Sequence, residues 1–218
     1  MQFSLARRRE RGHLQHHFRL PSSHPLNQQN LILLNFTQLN LGEIYYIYLM
    51  ETALEHILTS TYKDAMIAYL NTHPESFEEA ITLAISDKQP YGWRSAWLLW
   101  SCMEENDRRI QEYIKKIINT ISTKGDGHQR ELLKILQRME LDEEDEGMLL
   151  HECVTLWEKT NIRPSVRYSA FMFMNKMVAR YPDLMHEIEL LTEDHYLETL
   201  SPGIKLAIKR KIRRYDQS

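Results

Sequence analysis

At 218 residues, with 43% hydrophobic and 26% charged side chains, the chain has the composition of an ordinary globular protein and the length to bury a core. Seven Gly and seven Pro are too few for the turns that an all-β or doubly wound fold requires. The formal net charge is −3, and residues 50–218 alone carry 22 basic against 28 acidic side chains. That balance argues against a general nucleic-acid binder, whose affinity rests on Lys and Arg neutralising phosphates.

Residues 1–49 differ from the rest. They hold five Arg, no Lys, two acids (Glu10 and Glu43) and four of the ten histidines, and they show no helical periodicity. The stretch from Arg7 to Pro25 reads as disordered. The apolar run Leu31–Leu49 is interrupted by Asn35, Gln38, Asn40 and Glu43, so it is no membrane span, and it lacks the flanks of a secretory signal. Residues 1–49 are therefore expected to be a disordered or mis-assigned extension. The second alternative is preferred, with Met50 as the true start and residues 50–218 as the folded domain.

From Glu51 onward apolar residues recur at three- and four-residue steps. The spacing predicts helices over 51–59, 61–71, 74–86, 90–105, 107–122, 127–140, 145–160, 164–181, 183–198 and 202–214. Pro90, Pro164 and Pro202 stand where a first turn tolerates proline, Ser201 is an N-cap, and the acidic run Asp142–Glu146 suits a helix N-terminus. Cys102 and Cys153 fall inside apolar helical patterns, which predicts buried, reduced thiols rather than a disulfide or zinc site.

The chain also matches itself at a spacing of about 37 residues. Ala96, Leu133, Ala170 and Ala207 form one column, and Leu99, Leu136 and Phe173 another. Ile110, Gly147 and Leu184, with Ile117, Val154 and Leu191, form the columns of each second helix. Arg210 replaces the deep position in the last helix, as a solvent-facing cap requires. Helix pairs of this kind cannot hide their apolar faces alone and must stack. The period and the Arg94-Ser95-Ala96-Trp97 and Tyr168-Ser169-Ala170-Phe171 cores do not fit tetratricopeptide or ankyrin signatures. Over roughly residues 60–215 the chain resembles the HEAT-like α-solenoids, in particular small bacterial HEAT-repeat proteins. The resemblance implies an all-α, right-handed α-α superhelix, one face of which serves as a binding platform.

No catalytic motif emerges. His151-Glu152 and His186-Glu187 lack the second histidine of a zinc protease, Thr155 and Leu190 standing in its place. There is no phosphate loop and no Gly-x-Ser-x-Gly elbow, and neither a cofactor nor a metal is expected. The unusual cluster is Tyr91, Trp93, Trp97 and Trp100. On a helix the three Trp lie within about 60° of one another, either as a wide core face or as a partly open aromatic cleft. Arg130 and Arg167 share the repeat position of Trp93 and form either a surface ladder for a carboxylate or salt bridges between units. The candidate binding residues are thus Trp93, Arg94, Trp97, Trp100, Arg130 and Arg167. The expected function is a non-catalytic protein-interaction or scaffold module in a bacterial-type cytoplasm, with a protein or peptide as partner and no membrane contact. The alternative comes from a distant similarity to the DNA-alkylation-repeat glycosylases. It implies Trp100 with Glu104 as an aromatic–acid pair holding a damaged base, although that family's acid is Asp. Lys115, which would line the required basic groove, gives way to Glu152 and Glu189 down its column.

Overall fold

Thr52 starts the first helix by a reciprocal cap. Its hydroxyl accepts from the Glu55 N–H at 3.1 Å, and the Glu55 carboxylate accepts from the Thr52 N–H at 3.1 Å. The computed structural model describes residues 51–215, so the expectations for residues 1–49 lie outside the described residues. Eleven α-helices and no strand occur among them. These are α1 Ala53–Ser60, α2 Lys63–Thr72, α3 Phe77–Ile85, α4 Tyr91–Cys102, α5 Ile114–Ile121 and α6 Asp126–Gln137. They continue with α7 Glu143–Glu158, α8 Pro164–Arg180, α9 Met185–Leu190, α10 Asp194–Leu197 and α11 Pro202–Tyr215. Short 3-10 turns lead into α3, α5 and α9.

The helices form two layers. In one, α2, α4, α6 and α8 lie side by side; in the other, α3, α5 and α7 do. The layers are joined by the packing of α3 on α4, α5 on α6 and α7 on α8. The two first-helix columns are the floor of this arrangement. Ala96, Leu133, Ala170, Leu99, Leu136 and Phe173 all expose 1% or less. At the terminal helix the pattern fades as a cap demands: Ala207 is only half-buried, Ile208 takes the enclosed position, and Arg210 faces solvent.

Three sequence expectations need correction. The second-helix columns do not hold: Gly147 is exposed, and Val154, Leu184 and Leu191 are half-buried. The buried apolar set on α7 is Leu149, Cys153, Leu156 and Trp157, on a helix that packs against both α5 and α8. The connection 103–113 before α5 is longer than the connection 138–142 before α7, which shifts the register. The helix expected to begin at 107 begins later. Asn106 takes a left-handed φ of 51°, which Asn tolerates, and the buried Asp107 carboxylate accepts from the Glu104 and Arg109 N–H groups at 3.1 Å and pairs with the Arg109 guanidinium at 2.6 Å. The Arg109 guanidinium beside Asp107 holds that carboxyl below its ordinary range. Finally, the single helix expected over 183–198 is broken between α9 and α10. There the Leu191 carbonyl accepts from the Trp157 indole N–H at 2.6 Å instead of continuing the ladder.

Polar bonds staple successive units. Arg94 donates to the Leu58 carbonyl, the buried Lys124 ammonium pairs with Asp87 at 2.5 Å, Arg138 donates to the Trp100 carbonyl at 3.1 Å, and the Arg163 N–H donates to Asp126 at 2.7 Å. A close approach lies where Gly92 meets His128. The His128 ring is buried, donates from Nε2 to the Ala84 carbonyl at 2.6 Å and accepts at Nδ1 from the Gln89 amide at 3.3 Å. A Cβ on Gly92 stands 3.0 Å from His128 Cε1 and 3.0 Å from the Ser86 carbonyl oxygen. Backbone cannot yield as a flexible side chain does. Gly92→Ala is therefore expected to cost about 1–3 kcal/mol, read from the urea midpoint at unchanged m-value.

Burial holds the His128 pKa below its ordinary 6.5. The folded protein keeps this ring neutral while the unfolded chain takes up a proton as pH falls through about 6.5. The stability due to the neutral ring is present above that pH and is lost as pH drops towards the folded value. Melting temperature measured from pH 8 to pH 5 should fall less steeply in His128→Gln than in the natural chain.

Both cysteines are free, Cys153 buried and Cys102 half-buried, and burial pushes both thiols up from their ordinary pKa. No helix among the described residues is long and apolar enough to cross a membrane.

Candidate functional site

α4 is the helix on which the site depends. Gly92, Ser95, Ala96, Leu98 and Leu99 turn inward, and the Ser95 hydroxyl donates to the Ala80 carbonyl at 2.8 Å. That packing fixes the rotation of the helix and leaves Trp93, Trp97 and Trp100 on the adjacent flank, where Trp97 and Trp100 still pack against the core. Trp93 is 41% exposed, and Trp97 and Trp100 are half-buried. The three Trp are neither core nor free surface; they form a partly open row. Tyr91 is held apart from it, its hydroxyl donating to Glu51 at 3.0 Å.

Each indole meets a cation. The Arg94 guanidinium lies 5.4 Å from the Trp93 ring, Lys63 Nζ 5.9 Å from Trp97 and Lys134 Nζ 3.3 Å from Trp100. Lys63 opens α2 and Lys134 stands near the end of α6, the two helices beside α4, so the row is bounded by positive charge on both sides. On α6 the Glu131 carboxylate is 1% exposed and holds Lys134 together with a further cation, Arg130. It accepts from Arg130 at 2.9 and 2.5 Å and from Lys134 at 2.7 Å. Lys63, Lys134 and Glu131 were not singled out from sequence. A signal existed for one of them: Lys134 occupies the position of Trp97 one period on.

The six expected residues therefore divide. Trp93, Arg94, Trp97, Trp100 and Arg130 are placed on or beside one face. Arg94 serves partly as a tie, through its bond to the Leu58 carbonyl. Arg167 is not on that face. It is fully buried, with Nε donating to the Trp157 carbonyl at 2.8 Å, one terminal nitrogen to the Thr199 hydroxyl at 2.8 Å and the other to the Tyr196 carbonyl at 2.6 Å. Its guanidinium stacks 4.6 Å from the Trp157 ring, and burial pushes its pKa down. Neither a surface ladder nor a salt bridge describes it. Along α8 the same flank carries the buried Phe171 and Met174, with the Phe171 ring 5.5 Å from that of Trp157. The open row is confined to α4 and α6 for this reason.

The aromatic–acid pair fails geometrically. α4 ends at Cys102, and Met103 is extended at φ −71° and ψ 150°, so Glu104 does not stand one helical turn beyond Trp100. Lys115 is engaged with Glu144 at 2.5 Å. A shallow depression at Asp194, His195, Leu197, Glu198, Lys205 and Lys209 mixes both signs of charge, with Lys209 3.8 Å from Asp194. No group of three His, Cys, Asp or Glu among the described residues is arranged to hold a metal ion.

The family whose model describes a HEAT repeat domain matches residues 50–214. No curated protein and no solved structure matches the chain.

Proposed function

The chain belongs to the HEAT repeat domain family, and from that premise we propose that it is a non-catalytic interaction module whose docking surface is the Trp93–Trp97–Trp100 row. One observation carries this reading: three large indoles on a stably packed helix remain partly open, with cations seated against them. Trp and Arg dominate the binding energy of protein interfaces, because a planar aromatic or guanidinium releases much water while losing few rotamers. A core with room for these rings would have enclosed them, as α8 encloses Phe171 and Met174. The free cysteines support a reducing compartment, so the module is assigned to the cytoplasm.

The test compares affinity capture by the full chain with capture by Trp93→Ala and by Lys159→Ala, an exposed change at the end of α7. A partner should be retained by the natural chain and by Lys159→Ala and lost by Trp93→Ala, with circular dichroism unchanged. Equal recovery on all three sinks the proposal. A second reading, DNA binding as in the alkylation-repeat proteins, draws on the same cations beside the same rings. It requires a salt-dependent interaction with duplex DNA that does not draw on the failed aromatic–acid pair; no retention at low salt removes it.

A further inference from the structure

We propose that the Trp row receives an acidic linear peptide, its carboxylates on Lys63, Arg130 and Lys134 and an apolar side chain on the indoles; this rests on the docking surface just assigned. Residues 50–218 have six more acids than bases, yet the groups gathered at this row are cations. A surface whose sign opposes that of its chain selects a partner of the chain's own sign.

Those cations keep capacity for a ligand. Glu131 takes one N–H of Lys134 and two of Arg130. An ammonium has three donors and a guanidinium five, so both keep donors to spare. Their side chains remain 25% and 41% exposed. Lys63 is exposed and has no carboxylate partner among the described residues. The buried Glu131 acts as a positioning residue: it fixes where the two charges stand without occupying all of their hydrogen-bonding capacity.

Length decides between a peptide and a polyanion. Trp93 and Trp100 are seven residues apart on one helix, a span of about 10 Å, which about three residues of extended chain cover. Few cations stand within that span, and Glu131 lies among them. A nucleic acid draws its affinity from many neutralised phosphates, which this face cannot supply. One apolar residue bracketed by Asp or Glu fits both the span and the charge.

The experiment selects random linear peptides displayed against the immobilised full-length chain, then measures the enriched sequences by fluorescence anisotropy. Enriched peptides should place acids beside an aromatic or aliphatic residue. They should bind at least about tenfold more weakly to Lys63→Glu and Arg130→Gln, with weakening also in raised salt. Exchanging the peptide's acid for Lys should restore binding to Lys63→Glu, an outcome that loss of fold cannot produce. Enriched peptides that are neutral or basic, yet still lost with Trp93→Ala, overturn the acidic assignment and leave the docking surface standing. Peptides indifferent to Trp93→Ala overturn both. Absence of any enriched peptide, or displacement of the bound peptides by oligothymidylate at physiological salt, overturns the inference.

Discussion

Arg167→Ala should lower stability by about 3–5 kcal/mol, the largest loss expected from any single substitution outside the apolar core. The Arg167 side chain is fully buried and ties α8 to the end of α7, to α10 and to the residues just after it through its three bonds to Trp157, Tyr196 and Thr199. Truncation leaves the Trp157 and Tyr196 carbonyls without these donors and opens a cavity beneath the Trp157 ring. At about 2–4 °C per kcal/mol for a domain of this size, the melting temperature should fall by about 6–20 °C. Arg167→Met should cost less, because it preserves the packing volume and removes a buried charge with no carboxylate partner among the described residues. Equal losses in the two variants would show that the hydrogen bonds, and not the packing, carry the effect. A loss under about 1 kcal/mol for Arg167→Ala would contradict the clamp.

Leu136→Ala should cost about 2–5 kcal/mol, whereas Arg210→Ala, at the corresponding position of the last helix, should stay within about 0.5 kcal/mol. Leu136 is wholly enclosed on α6, which packs between α4 and α8 in its own layer and against α5 of the other; Arg210 faces solvent. Two residues related by the same spacing thus differ in consequence because one has a neighbouring unit on each side and the other does not. Urea denaturation of both variants measures the difference. Similar costs at the two positions would mean that α11 is no cap.

The first-helix columns and the all-α fold were legible because they rest on local periodicity. Ala96, Leu133 and Ala170 each face a neighbouring helix at close range, and only small or well-fitting side chains serve there. The second-helix columns were misread because a repeat spacing assumes equal connections, and Asn106 with Asp107 builds a longer one before α5. The site was half legible. Three Trp at helical spacing announced a shared flank, but whether that flank was open depended on what lies over it, and the segment Tyr196–Thr199 that buries Arg167 comes from far along the chain. Lys63 and Lys134 reach the indoles from separate helices, a convergence that no local pattern encodes.

The placement of the four indoles gives the protein a built-in optical readout. Trp157 is sealed under a guanidinium near the carboxyl-terminal half, while Trp93, Trp97 and Trp100 sit together on α4 with partial access to water. Their emission colours and quencher sensitivities therefore differ, and each reports a separate region. Heating that shifts the blue component before the red one would reveal an array unravelling from the α7–α11 side; a single coincident shift would reveal one cooperative block.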